Sequence, residues 1–230
     1  MTIGFRINHR HRKVDASLVD RFRGLPVANV SDSMSRMTAA GPELRPLHRS
    51  GKLAGPALTV KTRPGDNLLL HKAIDMAEPG DVIVVDGGGD LTTALMGEIM
   101  LYLAIERGVA GFVINGAVRD LDEIRETNLP FYAAGVTHRG PYKDGPGEIN
   151  VPIAIGGMVI DPGDLILGDG DGVLAVPFAE AAEILASSEG KQAAEVKEIA
   201  AIRAHTVDRS WVDAALRAKG CETPSSEEGN

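Results

Sequence analysis

A chain of 230 residues with 43% hydrophobic and 4% aromatic content is long enough to bury roughly 70% of its unfolded surface as one aliphatic-rich α/β domain. Its net charge of −8 argues against a general nucleic-acid surface, whose affinity comes from neutralising phosphates. The single cysteine, Cys221, excludes an intrachain disulfide and a cysteine metal cluster, and the absence of a long apolar run or an apolar signal region leads us to expect a cytoplasmic protein with no membrane partner.

Residues 1–14 carry Arg6, His9, Arg10, His11, Arg12 and Lys13 and read as a flexible, basic or subunit-contacting arm ahead of a single domain over 15–220. Asp15 reads as the N-cap of a helix with Leu18, Val19 and Phe22 inward and Gly24 as its stop. A second helix opens at Pro26 and buries Val27, Val30, Met34 and Met37 at helical spacing. Thr38–Lys52 reads as polar loop, and 57–62 as a strand broken by Pro64-Gly65-Asp66, with Asp66 capping the next helix. His71 lies inside that helix and reads as a structural histidine packing beneath a site rather than a metal ligand. The unbroken apolar run Val82–Val85 fits a strand buried on both faces.

The stretch 86–122 carries the chemistry. It reads as a strand ending in Gly87-Gly88-Gly89, a helix from Gly97, a second strand, and then Arg119-Asp120. Neither a dinucleotide fingerprint nor a P-loop fits, because Thr92 stands where a glycine is needed and no Gly-Lys-Ser/Thr occurs. The glycine loop is read either as backbone brought close to a small ligand or as an ordinary tight turn. The free N–H groups of Gly97-Glu98-Ile99-Met100 at a helix start are a natural anion seat. Helix 97–107 is expected to present Ile99 and Leu103, with Ile105 or Tyr102, inward. An Arg-Asp pair at the carboxyl end of a parallel strand stands where α/β folds place ligands. A small carboxylate and a divalent metal would satisfy both strand ends.

Beyond 131–134, a further strand, the loop 137–148 reads as a lid or a subunit contact, and 151–176 as antiparallel hairpins. Asp169, Asp171 and Glu180 have calcium-loop spacing, but Leu174 replaces the required glycine, so the hairpin is kept. Residues 178–206 form a long helix, Trp211 and Leu216 a short one, and 221–230 a disordered tail.

Glu98 and Arg119-Asp120, twenty residues apart, resemble the (Asp/Glu)-x20-Arg-Asp pattern of the class II pyruvate aldolases that cleave 4-hydroxy-4-methyl-2-oxoglutarate. These share a fold with the RraA-type regulators of ribonuclease E. The segments at 64–74, 77–86, 139–153 and 159–173 resemble that family too. The resemblance implies an RraA-like αββα layered α/β fold of the swivelling β/β/α type, with mixed sheets and a long C-terminal helix. It implies Asp120 as direct metal ligand and Arg119 as the group that polarises a 2-oxo acid and stabilises its enolate. The amides of Gly97, Glu98, Ile99 and Met100 would hold the substrate carboxylate. Glu98, and Glu195 of a neighbouring subunit, would act on the metal through water. One carboxylate plus waters suits Mg²⁺ or Mn²⁺. Homotrimers or hexamers with sites at subunit contacts, and accompanying oxaloacetate decarboxylation, are expected. The rival from another class is a non-catalytic RraA-like regulator that binds a ribonuclease. A phosphohistidine domain would need an exposed loop histidine, and only His138 qualifies.

Overall fold

Gly and Pro punctuation divides the chain into short elements, and the apolar pattern sorts them onto the two faces of one sheet. The computed structural model describes residues 4–222. Its elements are β1 (Phe5–Ile7), α1 (Ala16–Arg23), α2 (Val27–Ser33), β2 (Arg45–Pro46), β3 (Leu53–Thr62), α3 (Leu68–Met76), β4 (Val82–Asp86), α4 (Glu98–Glu106) and β5 (Gly111–Val118). There follow α5 (Leu121–Thr127), β6 (Phe131–Val136), β7 (Gly147–Ile149), β8 (Ile153–Ile155), β9 (Met158–Ile160), β10 (Leu165–Asp169), β11 (Gly172–Val176), α6 (Ala181–Arg203) and α7 (Ser210–Ala218).

Strands β3, β4, β5 and β6 are parallel neighbours, joined by the crossover helices α3, α4 and α5. The edges are antiparallel or mixed: β2 pairs with β6, while β7 pairs with the end of β3 and carries β1 alongside. The first half of β3 pairs instead with β10, which hairpins to β11, so this ten-residue strand belongs to both halves of the mixed sheet. Alternation along β4 shows why the sequence run is unbroken. Val82 and Val84 enter a core with α1, α2 and the hairpins, while Ile83 and Val85 enter a second core with α3 and α4. Each such side chain contributes roughly 1.5–3 kcal/mol by leaving water.

The expected antiparallel hairpins are present as β8–β9 and β10–β11, the latter turning at Asp169–Gly172. Several expectations are corrected. Helix α2 ends at Ser33 because Ser35 and Arg36 both adopt left-handed backbone, at φ 56° and 61°, and this leaves Met37 81% exposed. Thr38–Lys52 contains a short strand, β2. Helix α4 turns Met100, Leu101 and Ala104 inward and packs Ile105 partly against the core, but leaves Ile99 75% and Leu103 50% exposed, against expectation. Its sequence, EIMLYLAIE, is apolar almost all round, so periodicity selects no face.

The basic N-terminal segment is not a free arm over its described residues. Its cations find carboxylates on the body: Arg6 pairs with Glu148 at 2.7 Å, Arg12 with Asp161 at 3.2 Å, and Lys13 with Glu78. Arg10 grips Asp81, which is 0% exposed, with Nη1 2.8 Å from Oδ1 and Nη2 donating to Oδ2 at 3.0 Å. Val14 is buried in the first core.

By contact density the chain forms two compact units, residues up to 191 and residues from 192. The second contains the remainder of α6, the long C-terminal helix, and all of α7, whose Trp211 is exposed. Most of the expected disordered tail, 223–230, lies outside the described residues. No described helix is long and apolar enough to cross a membrane.

Removing one partner of a buried ion pair strands the other. Arg10→Met is therefore expected to cost about 3–5 kcal/mol in urea unfolding at neutral pH. A loss below about 1 kcal/mol would mean that Asp81 is hydrated and that the segment docks for other reasons.

Candidate active site

The site is made where the chain before α4 lies down beside the end of β5. Ala117 N–H donates to the Asp90 carbonyl at 3.0 Å, Leu95 N–H to Ala117 at 2.8 Å, and Arg119 N–H to Met96 at 2.9 Å. This ladder brings Gly97 against Arg119 and Asp120. The backbone of Gly97 is extended, at φ −153°, and would accept any residue. Its surroundings would not: a Cβ there would lie 2.4 Å from Asp120 Oδ2 and 3.0 Å from Arg119 Nε. Asp120 itself adopts left-handed backbone, φ 59° and ψ 47°, which Asp tolerates better than most residues.

In that conformation the Asp120 carboxylate reaches the start of α4, where Oδ2 accepts the Glu98 N–H at 2.8 Å with Arg119 Nε 3.6 Å away. A carboxylate at a helix N-terminus meets both an orphan donor and the positive end of the helix dipole. The expected anion seat is thus partly occupied by the protein itself. The N–H groups of Gly97, Ile99 and Met100 make no hydrogen bond to any described residue, so three of the four expected donors remain.

Gly97, Ile99, Met100 and Arg119 line one cavity of about 120 Å³. Asn67, His71 and Lys143 line it too. His71 thus lines the hollow, where the sequence suggested only packing beneath it, and Asn67 and Lys143 were not foreseen. Their signal lay in the segments 64–74 and 139–153, which carry no motif when read one residue at a time. Asn67 Nδ2 donates to the Leu95 carbonyl at 2.9 Å, which fixes the amide and leaves Oδ1 buried without a partner. Burial, and then the charge of Lys143, hold the His71 pKa below its ordinary value, so this ring is neutral at pH 7. A second hollow, about 240 Å³, opens on Arg119 and Asp120 with Thr137 and His138. Glu98 is exposed in the first turn of α4, and Glu195 belongs to the part of α6 in the second unit. Residues 87–89 do not line the cavity of Arg119. Gly87 and Gly89 instead donate to the Asn115 carbonyl, and Gly88 and Gly89 hold positive φ, so the tight-turn reading applies.

The loop 137–146 is held in place by one buried carboxylate. Asp66, 0% exposed, accepts Leu68 N–H through Oδ1 at 3.0 Å. Its Oδ2 accepts Asp144 N–H at 2.8 Å and Gly145 N–H at 2.9 Å, with Arg63 at 3.2 Å. Backbone bonds between Tyr142 and Gly65, and between Asn67 and Tyr142, complete the clamp. Burial alone would raise the Asp66 pKa, but the three N–H donors and Arg63 outweigh it and hold the pKa below the usual carboxylate value.

Among the described residues no three His, Cys, Asp or Glu side chains converge on a point that could hold a metal. What fits a cation is one hard oxygen: Asp120 lines the second hollow with Arg119, and its Oδ1 takes no hydrogen bond from a described residue. A single carboxylate with room for waters suits Mg²⁺ or Mn²⁺, which keep much of their hydration.

A family model described as RraA-like, Aldolase/RraA, matches residues 27–175. A Halalkalibacterium halodurans protein, provisionally named 4-hydroxy-4-methyl-2-oxoglutarate aldolase, is 40% identical over 181 residues, 79% of this chain and 86% of its own. A Thermus thermophilus protein named 4-hydroxy-4-methyl-2-oxoglutarate aldolase is 43% identical over 112 residues, 49% of this chain and 68% of its own. Among solved structures, an RNA-processing inhibitor RraA from Thermus superposes with TM-score 0.62 at 35% identity, over 66% of this chain and 92% of that one. An uncharacterised Pseudomonas syringae protein superposes with TM-score 0.77 at 27% identity, over 86% of this chain and 97% of that one.

Because the folded pKa of Asp66 is depressed, its stabilisation is present above the unfolded carboxylate pKa, about 3.9, and fades as pH falls through the folded value. Asp66→Asn is expected to lose roughly 2 kcal/mol at pH 7. Urea unfolding of both proteins from pH 7 to pH 3 should show that gap closing on acidification. A gap independent of pH would mean that the charge contributes nothing to the clamp.

Proposed function

Because this chain belongs to the RraA-like family of aldolases and RraA proteins, we propose that it is a divalent-metal-dependent aldolase that cleaves 4-hydroxy-2-oxo diacids to pyruvate and a second oxo acid. Oxaloacetate decarboxylation follows from the same chemistry. The observation that carries this reading is Arg119, which lines two hollows: three unpaired amides line the first with it, and a carboxylate with an oxygen that takes no hydrogen bond lines the second.

Cleavage removes the proton of the C4 hydroxyl, breaks the C3–C4 bond and leaves its electron pair as the enolate of pyruvate, which is then protonated at C3. The barrier is set by the negative charge that grows on the 2-oxo oxygen. Arg119 answers that charge with a planar fork of N–H donors, held beside the cavity by its backbone bond to Met96. The amides of Gly97, Ile99 and Met100 hold the substrate carboxylate, and this fixes the 2-oxo group next to Arg119. Asp120 would hold the cation through its carboxylate, and a bound cation would supply further positive charge to stabilise the enolate. Glu98, exposed beside these groups, takes the hydroxyl proton by way of water. Lysine chemistry is not required.

The working assembly in this reading is a homotrimer or hexamer in the cytoplasm, with Glu195 contributed by a neighbouring subunit. The likeness to a Thermus RraA favours a second reading, a regulator that binds a ribonuclease without chemistry. Tight, specific association with a ribonuclease E scaffold fragment, together with no turnover, would support it.

A coupled assay for released pyruvate, with and without chelator, tests the main reading across 4-hydroxy-2-oxo diacids and oxaloacetate. Asp120→Ala and EDTA are each expected to abolish pyruvate release, and unchanged turnover would remove the metal. Arg119→Lys is expected to lower kcat by about 100-fold or more, the loss of roughly 3–4 kcal/mol of transition-state stabilisation, with a smaller rise in KM. A change confined to KM would make Arg119 only a clamp for the ground state.

A further inference from the structure

The substrate class proposed above carries two carboxylates, but the amides of α4 and Arg119 account for one end of it. The same cavity contains a second cation that no described residue pairs with. Lys143 makes no hydrogen bond or ion pair to a described residue, although the chain on both sides of it is fixed. Tyr142 is tied by backbone bonds to Gly65 and Asn67, and Asp144 and Gly145 are tied to buried Asp66. An exposed lysine normally loses freedom when it is made to hold a ligand. Here the backbone part of that cost is met in advance by the clamp.

We propose that Lys143 is a specificity residue that pairs with the second carboxylate of the substrate, so that the cavity between Arg119 and Lys143 selects dianionic over monoanionic 2-oxo acids. This rests on the aldolase reading of the same cavity. The other wall groups agree with it. His71 is neutral, so it offers a hydrogen-bonding ring without adding a third positive charge beside Lys143. Asn67 Oδ1 is a buried acceptor without a donor, the kind of group that a substrate hydroxyl or a bound water satisfies. Among the described residues no Asp or Glu lines this cavity, so no protein anion competes there for Lys143.

The test compares the full-length protein with Lys143→Ala and Lys143→Arg on two substrates, 4-hydroxy-4-methyl-2-oxoglutarate and the mono-acid 4-hydroxy-2-oxopentanoate. In Lys143→Ala the diacid-to-mono-acid ratio of kcat/KM is expected to fall about 10- to 100-fold, the loss of one charge-assisted contact, and Lys143→Arg should retain most of the preference. Equal losses on both substrates, or no loss on either, would overturn the proposal. Calorimetric titration with 2-oxoglutarate, a dianion that cannot be cleaved, and with pyruvate separates the two readings. If the wild-type protein cleaves nothing, the aldolase reading fails, yet a selective loss of 2-oxoglutarate affinity in Lys143→Ala still supports the role of Lys143. Affinities for both ligands that change in parallel would remove it.

Discussion

The contact on which the site depends is the hydrogen bond from the Glu98 amide to the Asp120 carboxylate, made possible by the missing side chain at Gly97. Without that close approach the start of α4 and the end of β5 could not share a space. The bond also chooses the rotation of α4 about its axis, which its nearly uniform apolar sequence leaves open. The same carboxylate therefore caps a helix, faces Arg119 and keeps one oxygen free. A structural group and a chemical group are one residue here, and this explains why a backbone conformation rare for a non-glycine residue is tolerated at Asp120.

Asp66 repeats the device: a buried carboxylate gathers N–H groups from chain segments remote in sequence. Each such bond is stronger than a neutral one because the acceptor is charged. The effect is to convert a loop rich in Gly, Pro and charge into a fixed wall of the cavity. A wall made this way holds its side chains at defined places while exposing them to a ligand, and Lys143 benefits directly.

Charge is distributed so that the cavity stays positive inside an acidic protein. Most basic residues of the N-terminal segment are spent on carboxylates of the body, and Arg10 lies against the buried Asp81. Arg119 is only partly balanced by Asp120, whose nearer oxygen also serves the Glu98 amide, and Lys143 pairs with no described residue. In a site that small, two incompletely neutralised cations and a set of free amides favour a compact polyanion over any neutral ligand.

Much was legible in the sequence because it depends on local chemistry. The strand at Val82–Val85, the hairpins after Val151, the long helix after Phe178 and the Arg119-Asp120 pair at a strand end follow from apolar runs, turn residues and spacing. The RraA-like αββα layering came from a set of matching segments, each weak alone. Other features were decided only by tertiary structure. The inward face of α4, the docking of residues 4–14 and the arrival of Asn67, His71 and Lys143 at one cavity all rest on partners between about twenty and more than a hundred residues away. Periodicity reports how a segment relates to water, not which distant carboxylate or amide it will meet, and at this site those meetings determine the chemistry.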